Sequence, residues 1–172
     1  HLLGFEDGIY DLSENVFREG RPEDYITMST KIELLEGVNK KDLPIPLEKL
    51  CKLVPSITPN YSALYKDMEQ FITQIIPDID VRNYIYRWMS KCLSGENRDE
   101  GFYMWTGTGG NGKSKLVDLS QNCLGDYSCN LPVSLLTQKR KASNSAAPER
   151  VRTKGVRLVV MQEPDVSETL NI

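Results

Sequence analysis

Residues 107–114 read GTGGNGKS: Gly107, Thr108, Gly109, Gly110, Asn111, Gly112, Lys113 and Ser114. They fit the spacing G-x-x-x-x-G-K-[ST] of a phosphate-binding loop. The chemistry explains the composition. Phosphate oxygens must be met by several backbone N–H groups at once, and side chains obstruct that approach, so glycine is needed. A helix that starts at the loop turns the positive end of its dipole towards the anion. Lys113 can reach the β- and γ-phosphates of a nucleoside triphosphate, and the Ser114 hydroxyl can ligate Mg²⁺. A glycine-rich turn can match such a spacing by chance. A match seated between an apolar strand and a helix is the context the chemistry requires.

A second acidic element completes such sites, because an acid at the end of a neighbouring strand stands beside the Mg²⁺. The stretch RLVVMQEPD, 157–165, offers one. Val159, Val160 and Met161 read as the strand, and Gln162 and Glu163 fall at its carboxyl end, where open α/β sheets hold ligands. Glu163 can orient and deprotonate an attacking water, and is a candidate for the Mg²⁺ shell. An ordinary exposed glutamate after a strand is the competing reading. Gln162 is neutral and adds no charge, but can hydrogen-bond a metal-bound water. Asp165 follows Pro164.

These residues need elements to hold them. GFYMW, ending at Trp105, reads as a short buried strand, and KSKLVDLSQNCL as a helix with Leu116, Leu119 and Cys123 on one face. VRLVVM reads as a strand buried on both faces of a parallel sheet, and a further strand fits between Asp126 and Val133. Strand, glycine loop, helix is an α/β pattern. Upstream, Leu64, Met68, Phe71, Ile72 and Ile75 recur at helical spacing until Pro77. Asp80 can cap a second helix with Val81, Ile85, Trp88, Met89 and Cys92 on its apolar face, and Gly95 closes it. Together they read as a helical hairpin. Before them lie short strands and turns, with an Asp7–Gly8 turn signal between apolar residues and four prolines, at 44, 46, 55 and 59, that discourage long regular structure. The chain divides at 1–60, 61–100 and 101–172.

Composition narrows the classes. The 172 residues are 40% hydrophobic and 26% charged with net charge −3, as in a soluble globular protein and unlike a nucleic-acid-binding polycation. The four cysteines form no CxxC pair and the one histidine is His1, which argues against zinc and for reduced thiols. No apolar run is long enough to span a membrane. The first residues carry neither an initiator Met nor a signal peptide, so the chain is expected to be part of something longer. The first 60 residues set seven basic side chains against eleven acids, a solvated acidic surface. Between Ser134 and Arg157 stand Lys139, Arg140, Lys141, Arg150, Arg152, Lys154 and Arg157 against Glu149 alone. That run is either a DNA-facing or subunit-facing patch or a solvated loop. It has no aromatic residue for base stacking.

With both motifs placed, the chain resembles the superfamily 3 helicases, AAA+-like motors, of the primase-helicase type found in poxviruses, other large DNA viruses and some phages and plasmids. The resemblance covers nearly all 172 residues. It rests on GTGGNGKS followed by RLVVMQEPD, on LLGFEDGIYDLSENVFREGRPEDYITMST before the core, and on YRWMSKCLSGENRDEGFYMW leading into the loop. Where that family tends to write asparagine, FEDG has Asp7.

The resemblance implies a P-loop NTPase with an AAA+-like parallel sheet core, incomplete here, preceded by a helical collar (61–100) and a small mixed N-terminal segment. It implies an ATP- and Mg²⁺-dependent homo-hexameric motor that moves on single-stranded DNA and opens the duplex fork in genome replication, with a primase domain upstream. Gly107 to Ser114 would bind ATP, Lys113 and Glu163 would serve catalysis, and Ser114, Glu163 and, through water, Gln162 would serve the Mg²⁺. The protein would work inside cells, in the host cytoplasm for a virus or the bacterial cytoplasm for a phage or plasmid. The polar sensor, DNA-binding hairpin and trans-acting arginine of that family are expected beyond Ile172, so these residues alone are expected to bind ATP weakly or not at all and not to unwind DNA. Two other readings stand beside it: a small P-loop kinase, with the basic run as its lid, and a non-catalytic ATP-binding module for assembly.

Overall fold

The computed structural model describes residues 1–34, 41, 44–46, 49, 61–96, 101–137 and 148–162. Its elements are mixed, as an α/β chain requires. The N-terminal part is a four-stranded antiparallel sheet, β1 (Leu2–Gly4), β2 (Ile9–Asp11), β3 (Val16–Arg18) and β4 (Ile45–Pro46), in sequence order. The Asp7–Gly8 signal is the hairpin between β1 and β2: Phe5 N–H donates to Gly8 O at 2.7 Å. The next hairpin is closed by Asp11, whose carboxylate accepts from the backbone N–H of Ser13 and Glu14. Leu3, Phe17 and Ile45 lie in one cross-strand row and are buried on one face of the sheet, and Ile9 is buried on the other. Most of the proline-rich stretch lies outside the described residues.

Two helices follow, α1 (Tyr61–Ile75) and α2 (Ile79–Ser94), with Pro77 in the joint and Gly95 in the left-handed conformation at the C-cap. The second cap is Asp78 rather than Asp80. Its side chain accepts from the N–H groups of Asp80 and Val81 at 2.8 and 3.0 Å. Asp80 lies inside the first turn, where its charge still favours the helix dipole. The apolar stripes meet through Ile72 and Ile85, but Leu64 and Val81 are exposed, because they occupy first turns that the described neighbours do not cover.

Helix α3 (Lys113–Leu124) has the bounds the sequence predicts, set by Gly112 at its start and Gly125 at its end. Its buried face is Leu116, Ser120 and Leu124, with Leu119 half-buried and Cys123 exposed. The i, i+4 row therefore sits one position off the expected face of Leu116, Leu119 and Cys123. Ser120 is tolerated inside because its hydroxyl donates to Leu116 O at 2.8 Å.

The strand after Asp126 is β5 (Ser128–Asn130), and it pairs in parallel with β6 (Leu158–Val160), Ser128 opposite Leu158. Leu158 is buried, but Val159 is 39% exposed, so β6 is covered on one face and not on both. The predicted strand Phe102–Trp105 forms no ladder with any described strand. Phe102 and Met104 are exposed, whereas Tyr103 and Trp105 stack edge-on against Trp88 at 5.8 and 5.2 Å between centroids. The segment is fixed by aromatic packing on the collar, not by strand pairing. Among the described residues no helix is long and apolar enough to cross a membrane.

Candidate phosphate-binding loop

Three layers hold the loop. The collar stripe of Ile72 and Ile85 closes over Leu116, which is 1% exposed, with Ile75, Met89, Trp105 and Leu119 packed around it. Leu116 lies one turn inside α3, so the collar clamps the helix whose first residues are Lys113 and Ser114. Ile75 also covers the loop itself: a Cβ on Gly112 would stand 2.7 Å from Ile75 Cγ1. Gly112 has φ 79°, the left-handed region that disfavours side chains, so conformation and packing both require glycine there.

The far end of α3 is held by the N-terminal segment. The Tyr127 hydroxyl accepts from Gly4 N–H and donates to Met28 O, both at 2.9 Å. Asp126 N–H donates to Ser29 O, Ser29 N–H returns a bond to the Asp126 carboxylate, and Lys31 Nζ pairs with that carboxylate at 2.9 Å. The Lys31 ammonium and the Ser29 amide hold the Asp126 pKa below the ordinary carboxylate value. Thr30 passes so close to Gly125 that a Cβ would collide with its backbone carbonyl.

Arg157 joins all three parts. Its guanidinium lies 4.4 Å from the centre of the Tyr127 ring and donates to Leu2 O at 2.5 Å and to Leu93 O at the end of α2. Burial lowers its pKa from the usual arginine value. Arg157 is thus engaged inside the fold and is unavailable to DNA or a neighbouring subunit, unlike the basic run it was grouped with. Arg152 and Lys154 are described, Lys139, Arg140 and Lys141 lie outside the described residues, and only the backbone of Arg150 is described.

The loop itself faces outward. Gly107, Thr108, Gly109, Gly110, Asn111 and Ser114 are exposed and Lys113 is half-buried. A Cβ on Gly109 or Gly110 would meet nothing within 4 Å. Those glycines are not demanded by protein packing, and they leave the backbone bare towards solvent. No side chain caps the start of α3, and its first turn holds no acid. The free N–H groups and dipole end of the helix therefore face the loop uncompensated. The Lys113 ammonium is folded back over the loop, where Nζ meets Asn111 Oδ1 at 2.7 Å. These residues fit a polyphosphate: bare amides, a helix N-terminus and a cation come together. Ser114 is placed beside them on the first turn of α3, with its hydroxyl accessible for a metal ion.

The acidic half of the site is less complete. Gln162 is exposed, two residues past β6. Glu163 and Asp165 lie outside the described residues. The structure brings together Gly107, Asn111, Gly112 and Lys113, with Ser114 adjoining. Sequence reasoning missed the contact of Asn111 with Lys113 and the internal engagement of Arg157. The first could have been sought in the two-residue spacing; the second carried no local signal, since Arg157 and Leu2 are 155 positions apart.

Residues 1–81 match the protein family described as "D5 N terminal like". The chain is 37% identical over 171 residues to a "Putative helicase" of Acanthamoeba polyphaga mimivirus, and 32% identical over 171 residues to a "Putative helicase" of Invertebrate iridescent virus 6. Each match takes in 99% of this chain and 16% of the relative, so the chain spans about one-sixth of the length of these relatives. A "Putative primase" of African swine fever virus is 33% identical over 101 residues, 58% of this chain and 10% of that protein. The chain thus opens with a D5 N-terminal-like segment and, over nearly its whole length, is similar to helicase-named proteins of large DNA viruses.

Proposed function

We propose that this chain is the nucleotide-binding part of an ATP-driven DNA helicase of the D5 primase-helicase type, acting in genome replication of a large DNA virus. The observation that carries the reading is the loop Gly107–Ser114: an uncapped helix start, bare glycine backbone and a lysine ammonium meet on one exposed loop. The similarity to helicase- and primase-named viral proteins supports the assignment of that loop to a motor.

In this reading the backbone amides of Gly109 to Lys113 and the ammonium of Lys113 hold the β- and γ-phosphates of ATP. Ser114 would hold Mg²⁺, with Gln162 and Glu163 in its outer shell, and Glu163 would orient the attacking water and take its proton. The metal supplies neutralisation of charge on the phosphates. The motor is a ring, most simply a homo-hexamer, that moves along single-stranded DNA and opens the fork, with a primase function on the same or an associated polypeptide. It works inside the infected cell.

The test is the ATPase rate with and without single-stranded DNA, in a protein of the relatives' full length that carries this chain. Hydrolysis that rises with DNA, and that falls about a hundredfold or more on Glu163→Gln while ATP still binds, is expected. ATP binding with no response to DNA would overturn the motor assignment. Phosphorylation of a small acceptor would instead favour a kinase.

A further inference from the structure

The Lys113 ammonium is not loose. Nζ donates to Asn111 Oδ1 at 2.7 Å. An ammonium has only donors, so it fixes which end of the Asn111 amide faces it, and turns Nδ2 the other way. That Nδ2 lies against Gly107, where a Cβ would stand 2.5 Å from it and 3.1 Å from Lys113 Nζ. The first glycine of the loop, the asparagine and the lysine therefore close on one another. Gly109 and Gly110, between them, face open space. Asn111 reaches from Lys113 to Gly107 and leaves the backbone of Gly109 and Gly110 clear.

Three features of this contact matter for binding an anion. The ammonium has three donors and Asn111 takes one, which leaves two for phosphate oxygens. Lysine has a long flexible stem that loses much rotamer freedom when fixed, and a contact that fixes it beforehand removes that cost from the binding step. The acceptor is a neutral amide, so it holds the cation without placing a negative charge beside the phosphates; aspartate at 111 would do both.

We propose that Asn111 is a positioning residue for the phosphate-loop lysine: its Oδ1 holds the Lys113 ammonium over the loop before the nucleotide arrives. This rests on the nucleotide-binding reading of Gly107–Ser114. Asn111 acts through Lys113 and is not itself a catalytic residue.

The test is a double-mutant cycle read by titration calorimetry, with MgATP and inorganic pyrophosphate as probes, on a protein of the relatives' full length that carries this chain and on its Asn111→Ala, Lys113→Ala and double variants. Asn111→Ala is expected to weaken both ligands about fivefold, the scale of one partly exposed hydrogen bond to a charged group. In the Lys113→Ala background the same replacement is expected to change affinity by less than about twofold, since the group it positions is gone. The midpoint of heat unfolding should not move, because Asn111 is exposed; a purely structural residue would shift it. Wild-type affinity in Asn111→Ala, or an equal loss in both backgrounds, overturns the proposal while leaving nucleotide binding intact. If Lys113→Ala alone binds both probes as tightly as wild type, the nucleotide reading itself fails, and the proposal with it.

Discussion

Residues 1–34 grip the Gly125–Tyr127 turn and Arg157 through reciprocal backbone bonds, a buried tyrosine hydroxyl and an ion pair, whereas Gly107–Ser114 is exposed along most of its length and meets the collar where Ile75 covers Gly112. The two regions sit at opposite ends of the same helix, α3. At the C-terminal end nearly every polar group of the grip has a partner within the protein. At the N-terminal end the helix amides have no side-chain cap. A buried polar group left without a partner is costly, and an exposed one is free to take a ligand. The contrast separates where the chain keeps its stability from where the proposed anion site lies. It also shows that the N-terminal segment is packed onto the helix that carries the loop.

Substitutions can break that contrast. The largest effect is expected at the shared joint. Leu116→Ala leaves a cavity under the collar and should cost about 2–5 kcal/mol in chemical denaturation, loosening both ends of α3 together. Next is Tyr127→Phe, which leaves Gly4 N–H and Met28 O without their partner. A loss of about 1–3 kcal/mol is expected, with nucleotide affinity unchanged when measured on the fraction that is folded. A comparable change in affinity would show that the grip reaches the loop. Gly112→Ala forces a side chain into the left-handed region and against Ile75, which should cost about 1–2 kcal/mol from backbone conformation alone and weaken phosphate binding as well.

The smallest effect concerns pH. The Arg18 guanidinium bonds the Asp24 carboxylate at 2.7 and 2.8 Å and, with the Arg21 N–H, holds its pKa down to about 2. In the unfolded chain that carboxyl titrates near about 3.9. The folded state therefore binds fewer protons between these values, so the contribution is present above about pH 4 and is lost as pH falls towards about 2. The heat-unfolding midpoint should drop across that window. Asp24→Asn should flatten part of the drop while leaving nucleotide affinity as it was.

Local features of this fold were legible from the residues. The Asp7–Gly8 hairpin, Pro77 between two helices, Gly95 at a C-cap and the bounds of α3 are each set by residues within a few positions. The glycine-rich loop that leads into α3 was legible for the same reason. What needed partners distant in sequence was not. Phe102–Trp105 has strand composition, yet a ladder requires a neighbour, and its aromatics pack on Trp88 instead. Two acids two positions apart, Asp78 and Asp80, can each cap a helix, and the chain's exit from Pro77 selects the first. Arg157 looked like one more cation in a basic run; its acceptors Leu2 O and Leu93 O come from other elements. The α3 face slipped by one position because Ser120 can bury its hydroxyl on the preceding turn.

The most direct measurement is the binding of a fluorescent ATP analogue with Mg²⁺ to a protein of the relatives' full length that carries this chain and to its Lys113→Ala variant, alongside their heat-unfolding midpoints. Saturable binding by the wild type, weakened about tenfold to a hundredfold by Lys113→Ala at an unchanged midpoint, is what the exposed loop predicts. Equal binding by the two proteins would contradict the claim that Gly107–Ser114 holds the triphosphate, and so would no binding by a folded wild type.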